Sequence, residues 1–289
     1  MNGSHSTLIP FKQVDVFTTV PFKGNPVAVI LDGNDLTTAQ MQSIANWTNL
    51  SETTFVCAPS QVDADYRLRI FTPRTELPFA GHPTIGSAWA VLQHGLKPKA
   101  PGRLIQECVK GLIRVRIAGE SLFFALPEPA FTSPDDSELA AVAAALGVSA
   151  DAILLGSVVD VGAVWLTLQL GSAGEVVALE PDMNALAALS GHCAGVTVFG
   201  LHDGGDSAAV EVRSFAPTEG VPEDPVCGSG NGCVAAMIRR HQVLGVSGYV
   251  ASQGRRMGRD GRVEVEFDAD GTIWLGGRAV TCVDGSIAV

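Results

Sequence analysis

The sequence predicts an α/β enzyme made of two related halves, and three observations lead there: composition, alternating strand and helix signals, and an internal echo. Of 289 residues, 46% are hydrophobic and 17% charged. That is enough apolar material for a substantial core and too little charge for a disordered chain. The length alone gives a prior of roughly two domains.

Strand and helix patterns alternate along the chain. Residues 14–17 and 27–31 read as strands around a Gly24-Asn25-Pro26 turn, because glycine and proline punctuate two apolar runs. Thr37 reads as a helix N-cap with Gln40 three residues on, the capping-box spacing. Met41, Ile44 and Ala45 put an apolar stripe on that helix. A polar turn, Asn49-Leu50-Ser51-Glu52, then runs into the strand-like Thr53-Thr54-Phe55-Val56. Further on, Pro83 suits a first helical position, Ile85, Ala88, Trp89 and Leu92 follow at helical spacing, and Gly95 can supply the left-handed stop. Residues 233–244 read as a second such helix stopped by Gly245, and residues 130–136, rich in Pro, Ser and Asp, as a linker.

The echo is the most informative feature. Residues 69–88 read RIFTPRTELPFAGHPTIGSA and residues 213–230 read RSFAPTEGVPEDPVCGSG. Both begin Arg-x-Phe-x-Pro and pass through a proline-containing turn to a Gly-Ser pair expected to open a helix. A shift of 142 superposes His82-Pro83 on Asp224-Pro225 and Gly86-Ser87 on Gly228-Ser229. Shared Gly, Pro and Ser are cheap matches, but the common prefix favours a duplicated unit, and two copies make no solenoid.

The net charge of -11 argues against a nucleic-acid partner, which needs a basic face. No apolar run approaches the roughly 20 residues of a membrane span. Residues 1–6 (MNGSHS) read as a short flexible lead, without the charged-then-apolar pattern of a signal peptide. Cysteines at 57, 108, 193, 227, 233 and 282 form no C-x-x-C pair. Their scatter argues against a zinc site and for a reducing, cytoplasmic setting.

Several residues could carry chemistry. In Gly228-Ser229-Gly230-Asn231-Gly232 the glycines let backbone N–H groups turn toward an anion at a helix N-terminus. Gly81-His82-Pro83 offers a weaker version. Neither is a P-loop or a dinucleotide fingerprint, and such turns are more often structural. Glu52, between a helix and an apolar strand, is the best general-base candidate, since desolvation there would raise its pKa; a turn-capping surface carboxylate is the plainer alternative. With the shift of 142, Ala194 stands opposite it, so the carboxylate is not duplicated. His82 and Asp224 could form a proton-relay or substrate-orienting pair, although a lone histidine is more often a satisfied core or surface residue. Cys227 near a helix N-terminus is expected to have a lowered pKa. With Ile85 opposite it, a two-thiol mechanism is disfavoured.

VDVFTTVPFKGNPVAVI, NLSETTFV, FTPRTELPFAGHPTIGSA, RSFAPTEGVPEDPVCGSGNG and the closing QGRRMGRDGRVEV together closely resemble the phenazine-biosynthesis PhzF-like family, in order and across essentially the whole chain. The resemblance implies the diaminopimelate-epimerase-like fold: two pseudo-symmetric domains, each a curved sheet around a central helix, with the active site between them. Those domains would cover residues 1–129, with the C-terminal strand at about 278–289 returning to the first, and residues 130–277. The resemblance also implies an isomerase that needs neither metal nor organic cofactor and is often a homodimer, acting on a small carboxylate-bearing substrate. Its best-understood member shifts a proton between ring carbons of a hydroxylated dihydroanthranilate. Glu52 matches that member's proton-shuttling glutamate, His82 and Asp224 its flanking residues, Gly228 and Ser229 its carboxylate-holding turn, with Ser51 and Gly81 opposite. Asn25 resembles a substrate-contacting asparagine of the epimerase relatives. The second turn departs from the common DPVTGSA, with Cys227 replacing a threonine and Gly230 an alanine. The competing readings are an amino-acid racemase or epimerase, and a non-catalytic binding member of the same fold.

Overall fold

The computed structural model describes residues 7–189, 191 and 193–289; the N-terminal lead lies outside them. The chain divides into two compact units, one ending at Phe124 and regaining Gly276–Val289, the other Ala125–Leu275.

The first unit runs β1 (Leu8–Val16), β2 (Asn25–Ile30), α1 (Thr38–Thr48), β3 (Thr53–Cys57), β4 (Tyr66–Phe71), β5 (Glu76–Leu77), α2 (Gly81–Gln93), β6 (Arg103–Cys108), β7 (Gly111–Ala118) and β8 (Ser121–Ala125). β1 lies antiparallel to β2 and, on its other edge, to the closing strand of the chain, Ala279–Ala288. β2 runs parallel to β3, β3 antiparallel to β4, and β4 parallel to β6, which continues through β7 to β8. Nine residues of α2, His82–Ala88 with Ala90 and Val91, are buried, so the sheet wraps this helix. Gly86 makes the approach close: a Cβ there would come within 2.4 Å of Val27 Cγ1. The Thr37–Gln40 capping box closes in both directions, and α1 stops at Asn49 in the left-handed region.

The second unit repeats the order with β9 (Ala130–Thr132), α3 (Asp136–Leu146), β10 (Leu155–Asp160), β11 (Val164–Gln169), α4 (Ala173–Ala178), α5 (Met183–Leu189), β12 (Gly195–Leu201), β13 (Val210–Ala216), β14 (Val221–Asp224), α6 (Gly228–His241), β15 (Gly248–Gln253), β16 (Gly261–Phe267) and β17 (Ile273–Gly277). β10 pairs with β9 and β11; β11 is parallel to β12, β12 antiparallel to β13, and β13 parallel to β15. α6 is buried from Gly230 to Ile238.

The pairings confirm the duplication and correct its register. Ile70 opposes Leu77 in the first unit, and Ser214 opposes Asp224 in the second. With α2 opening at Gly81 and α6 at Gly228, the matching segments are Glu76-Leu77-Pro78-Phe79-Ala80-Gly81-His82 and Glu223-Asp224-Pro225-Val226-Cys227-Gly228-Ser229. His82 therefore corresponds to Ser229 and not to Asp224. Gly86-Ser87 lies inside α2 rather than opening it, and Pro83 is that helix's third residue. The misregister arose because His-Pro and Asp-Pro look alike in sequence, whereas the short strands before them anchor the turns.

Two helix limits and one linker also differ from expectation. α6 starts five residues earlier than 233, since its glycines are packed rather than exposed, and it ends at Gln242, left-handed at φ 53°, not at Gly245. Residues 130–132 of the expected linker form β9, an edge strand on β10; the prolines and serines around it mimic a turn.

The shared Arg-x-Phe-x-Pro is structural. On a strand, residues two apart share a face, which lays the Arg69 guanidinium over Phe71 at 5.2 Å and that of Arg213 over Phe215 at 4.9 Å. Each arginine then forks onto the glutamate of the next short strand. Arg69 reaches Glu76 with two bonds of 2.7 Å, and Arg213 reaches Glu223 at 2.8 and 2.9 Å.

Candidate active site

In the first unit three separated segments converge. Asn49 ends α1, and three residues later Glu52, immediately before β3, turns its carboxyl into the protein interior. The Glu52 Oε2 atom lies 3.3 Å from Nε2 of His82, the second residue of α2. The other ring nitrogen of His82, Nδ1, is 3.3 Å from the amide nitrogen Nδ2 of Asn25. Because an amide NH2 can only donate, Nδ1 is the acceptor. In a neutral ring the proton then sits on Nε2, the nitrogen nearest the Glu52 carboxyl. Burial pushes the Glu52 carboxyl up from its ordinary 4.5 to about 7, against a smaller opposing effect of a hydrogen bond from Ser51. An Asn25→Leu variant should lose this tautomer preference. The ring 15N shifts of His82 would report it, with the Nε2–H form dominant in the wild type and mixed in the variant.

Asn25 is held by a residue that sequence reasoning missed. The buried Asp15 of β1 accepts the Gly24 N–H at 3.0 Å, fixing the turn that delivers Asn25. Only glycine fits before it, since a Cβ on Gly24 would lie 2.1 Å from the Val16 carbonyl oxygen. The signal available was an aspartate between two valines of an otherwise apolar strand end. The structure also corrects the residue opposite Glu52. Thr53 pairs with Phe71 and Val196 with Phe215, so Gly195 takes that place rather than Ala194. A Cβ on Gly195 would lie 2.0 Å from the Phe215 carbonyl oxygen, so the second unit has no room for a side chain there.

In the second unit the candidates cluster around the start of α6. Asp224 Oδ1 accepts the Val226 N–H at 3.0 Å. Cys227 is the N-cap, its Sγ accepting the Gly230 N–H at 3.2 Å. Ser229 Oγ accepts the indole N–H of Trp165 at 3.0 Å, a partner not foreseen from sequence. Cys227 overturns the expectation of a lowered pKa: burial, and next the Asp224 charge, push its thiol well up, outweighing the Gly230 N–H. It stays a protonated cap. In the corrected register its counterpart is Ala80, so two-thiol chemistry again finds no second thiol.

Gly230, the departure from alanine, has a local cause. A Cβ there would lie 2.5 Å from Ser214 Oγ and 3.1 Å from Thr197 Oγ1, two hydroxyls bonded to each other at 2.8 Å. Gly230→Ala should destabilise the protein by about 1–3 kcal/mol through overpacking, although helix propensity alone favours alanine by about 1 kcal/mol. Adding Ser214→Ala should recover most of the loss in a urea denaturation series.

Among the described residues no group of three or more His, Cys, Asp or Glu is placed to hold a metal ion, and no helix is long and apolar enough to cross a membrane. All six cysteines are free.

The fold is that of the PhzF and epimerase-like proteins. A PhzF-family structure from Bacillus anthracis superposes with TM-score 0.86 at 24% identity over 98% of this chain and 100% of that one. A hydroxyproline epimerase from Agrobacterium vitis shares the fold alone, at TM-score 0.59 and 13% identity over 98% and 93%. The family model described as "Phenazine biosynthesis-like protein" matches residues 14–285, and the chain belongs to that family. Among its relatives, "Antisense-enhancing sequence 1" of Schizosaccharomyces pombe is 42% identical over 95% of this chain and 97% of its own. The trans-2,3-dihydro-3-hydroxyanthranilate isomerase of Pseudomonas aeruginosa is 34% identical over 89% and 90%, and the "Uncharacterized isomerase YddE" of Escherichia coli K12 is 35% identical over 88% of each. This chain is an enzyme of the isomerase class.

Proposed function

We propose that this isomerase moves a proton on a small carboxylate-bearing substrate, without a cofactor, with Glu52 as the acid–base group. The observation that carries the reading is the Glu52 carboxyl, buried beside His82 and raised to about 7. A carboxyl balanced between its two protonation states near neutral pH can both remove a C–H proton and return it. His82, whose Nε2 lies 3.3 Å from the Glu52 carboxyl, is the neighbour that positions it. Gly81, Gly228 and Ser229, at helix starts whose backbone N–H groups suit an anion, are assigned to the substrate carboxylate through the family resemblance. Asp224 is assigned a substrate-orienting role through the family resemblance.

The relative from Pseudomonas aeruginosa is named for a dihydro-hydroxyanthranilate, and a substrate of that chemical class suits this reading: a carboxylate for the helix turns and a ring C–H acidified by conjugation. The test is proton NMR in D2O with trans-2,3-dihydro-3-hydroxyanthranilate and a panel of small cyclic and acyclic amino and hydroxy acids. Loss or migration of a C–H signal supports the reading and identifies the substrate class. Binding of a panel member with no exchange at any carbon would sink it and leave a binding protein.

A further inference from the structure

The geometry points to Gln253, the first residue of the QGRRMGRDGRVEV stretch, as the positioning residue for the α6 turn that receives the substrate carboxylate; this rests on the function proposed above. Gln253 ends β15 and is 1% exposed. Both ends of its side-chain amide bond to that turn. Oε1 accepts the Cys227 N–H at 3.0 Å and the Asn231 side-chain NH2 at 2.7 Å, while Nε2 donates to the Asp224 carbonyl oxygen at 2.9 Å. One side chain therefore clamps both ends of the Asp224–Cys227 turn and ties it to the first turn of α6.

The backbone around Gln253 is shaped for the same task. Gly254, at φ 96°, sits where a Cβ would lie 2.5 Å from the Pro225 carbonyl oxygen, and a Cβ on Gly261 would lie 2.3 Å from Val226 Cγ2. The two glycines leave the space that Pro225 and Val226 occupy. The glycine-and-arginine stretch, which had no role beyond family likeness, is thus a cradle for the turn.

The bonding pattern then selects the ligand donors. The Val226 N–H goes to Asp224, the Cys227 N–H to Gln253, the Gly230 N–H to the Cys227 thiol, and the Asn231 N–H to the Cys227 carbonyl. Among the described residues this leaves Gly228 and Ser229 as the amides the turn does not use itself. A free amide pair at a helix start can bind a carboxylate only if it is held in orientation. Gln253 does the holding without reaching the ligand.

The test uses sodium benzoate as a carboxylate probe and backbone 15N–1H NMR of the full chain. In the wild type, benzoate should shift the Gly228 and Ser229 amides in a saturable way. In Gln253→Met, which keeps length but not the polar atoms, that saturable shift should weaken at least tenfold, and the Cys227 amide should exchange with solvent faster. Gln253→Glu restores the acceptor but not the donor to Asp224, so it should recover protection of the Cys227 amide while probe affinity stays reduced; it also serves if Gln253→Met does not fold. A wild type whose Gly228 and Ser229 amides ignore benzoate would overturn the carboxylate-holding turn and this inference with it. Wild-type binding retained in both Gln253 variants would overturn this inference alone.

Discussion

Replacing Glu52 by glutamine should reduce proton exchange into the substrate by about 10²–10⁴-fold while leaving substrate affinity and fold intact. Glutamine has the shape of a protonated glutamate and keeps an oxygen near His82, but it cannot accept the substrate proton. The same substitution should make the protein more stable at alkaline pH. The carboxyl titrates near 7 in the folded chain against an ordinary 4.5, so between those values the folded state binds more protons than the unfolded one. Stability must therefore fall as pH rises from about 4.5 to about 7, and the cost is fully present above that range. That difference corresponds to about 3 kcal/mol. The advantage of Glu52→Gln should approach that figure at pH 8 and vanish below pH 4. Parallel urea titrations at pH 4 and pH 8, with exchange rates followed by NMR, would check both halves. A constant difference across pH would mean that the carboxyl is not held in its neutral form, and undiminished exchange would remove Glu52 from the mechanism.

The same buried group shows how far the sequence could be read. Its place between a capped helix and an apolar strand, together with family likeness, led to Glu52, and the α/β class and the family followed from patterns spread over the whole chain. What failed was register. Residues with the same dipeptide look, His82-Pro83 and Asp224-Pro225, were aligned, although Glu76 and Glu223 carry the shared geometry through a bond to an arginine seven residues back in one unit and ten in the other. The unequal spacing, seven residues against ten, hides the match from a comparison at one fixed shift. Burial was also hard to foresee. A thiol at a helix start suggests a lowered pKa, and only the packing around Cys227 reverses the sign. Asp15 and Gln253 escaped notice because each acts on backbone groups elsewhere, Asp15 on Gly24 and Gln253 on the turn after β14. A polar residue in an apolar strand signals that something needs a partner without saying what.

The corrected register carries the second large effect. If the Arg–Glu forks are duplicated structural clamps, removing either arginine should destabilise its unit, but unequally. The Arg213 side chain is 5% exposed and Glu223 13%, against 17% and 28% for Arg69 and Glu76. Arg213 also donates to the carbonyl oxygens of Val176 and Leu179 at 3.2 and 2.7 Å, so its loss takes a partner from a carboxylate and two carbonyls together, of which the Val176 oxygen keeps the Leu179 N–H. Arg213→Ala should cost about 3–5 kcal/mol, the range for breaking one side of a buried pair. Arg69→Ala should cost about 1–2 kcal/mol, because water can reach Glu76 in its place. Arg213→Lys should recover little, since a point charge cannot make the two-pronged contact or lie flat over Phe215. Replacing both partners, Arg213→Met with Glu223→Gln, should cost less than Arg213→Ala, because no charge is then left unpaired. Urea midpoints for the series would decide the matter. Equal losses at Arg69 and Arg213 would mean that the two forks do the same work despite their different burial, and that desolvation is not what sets their strength.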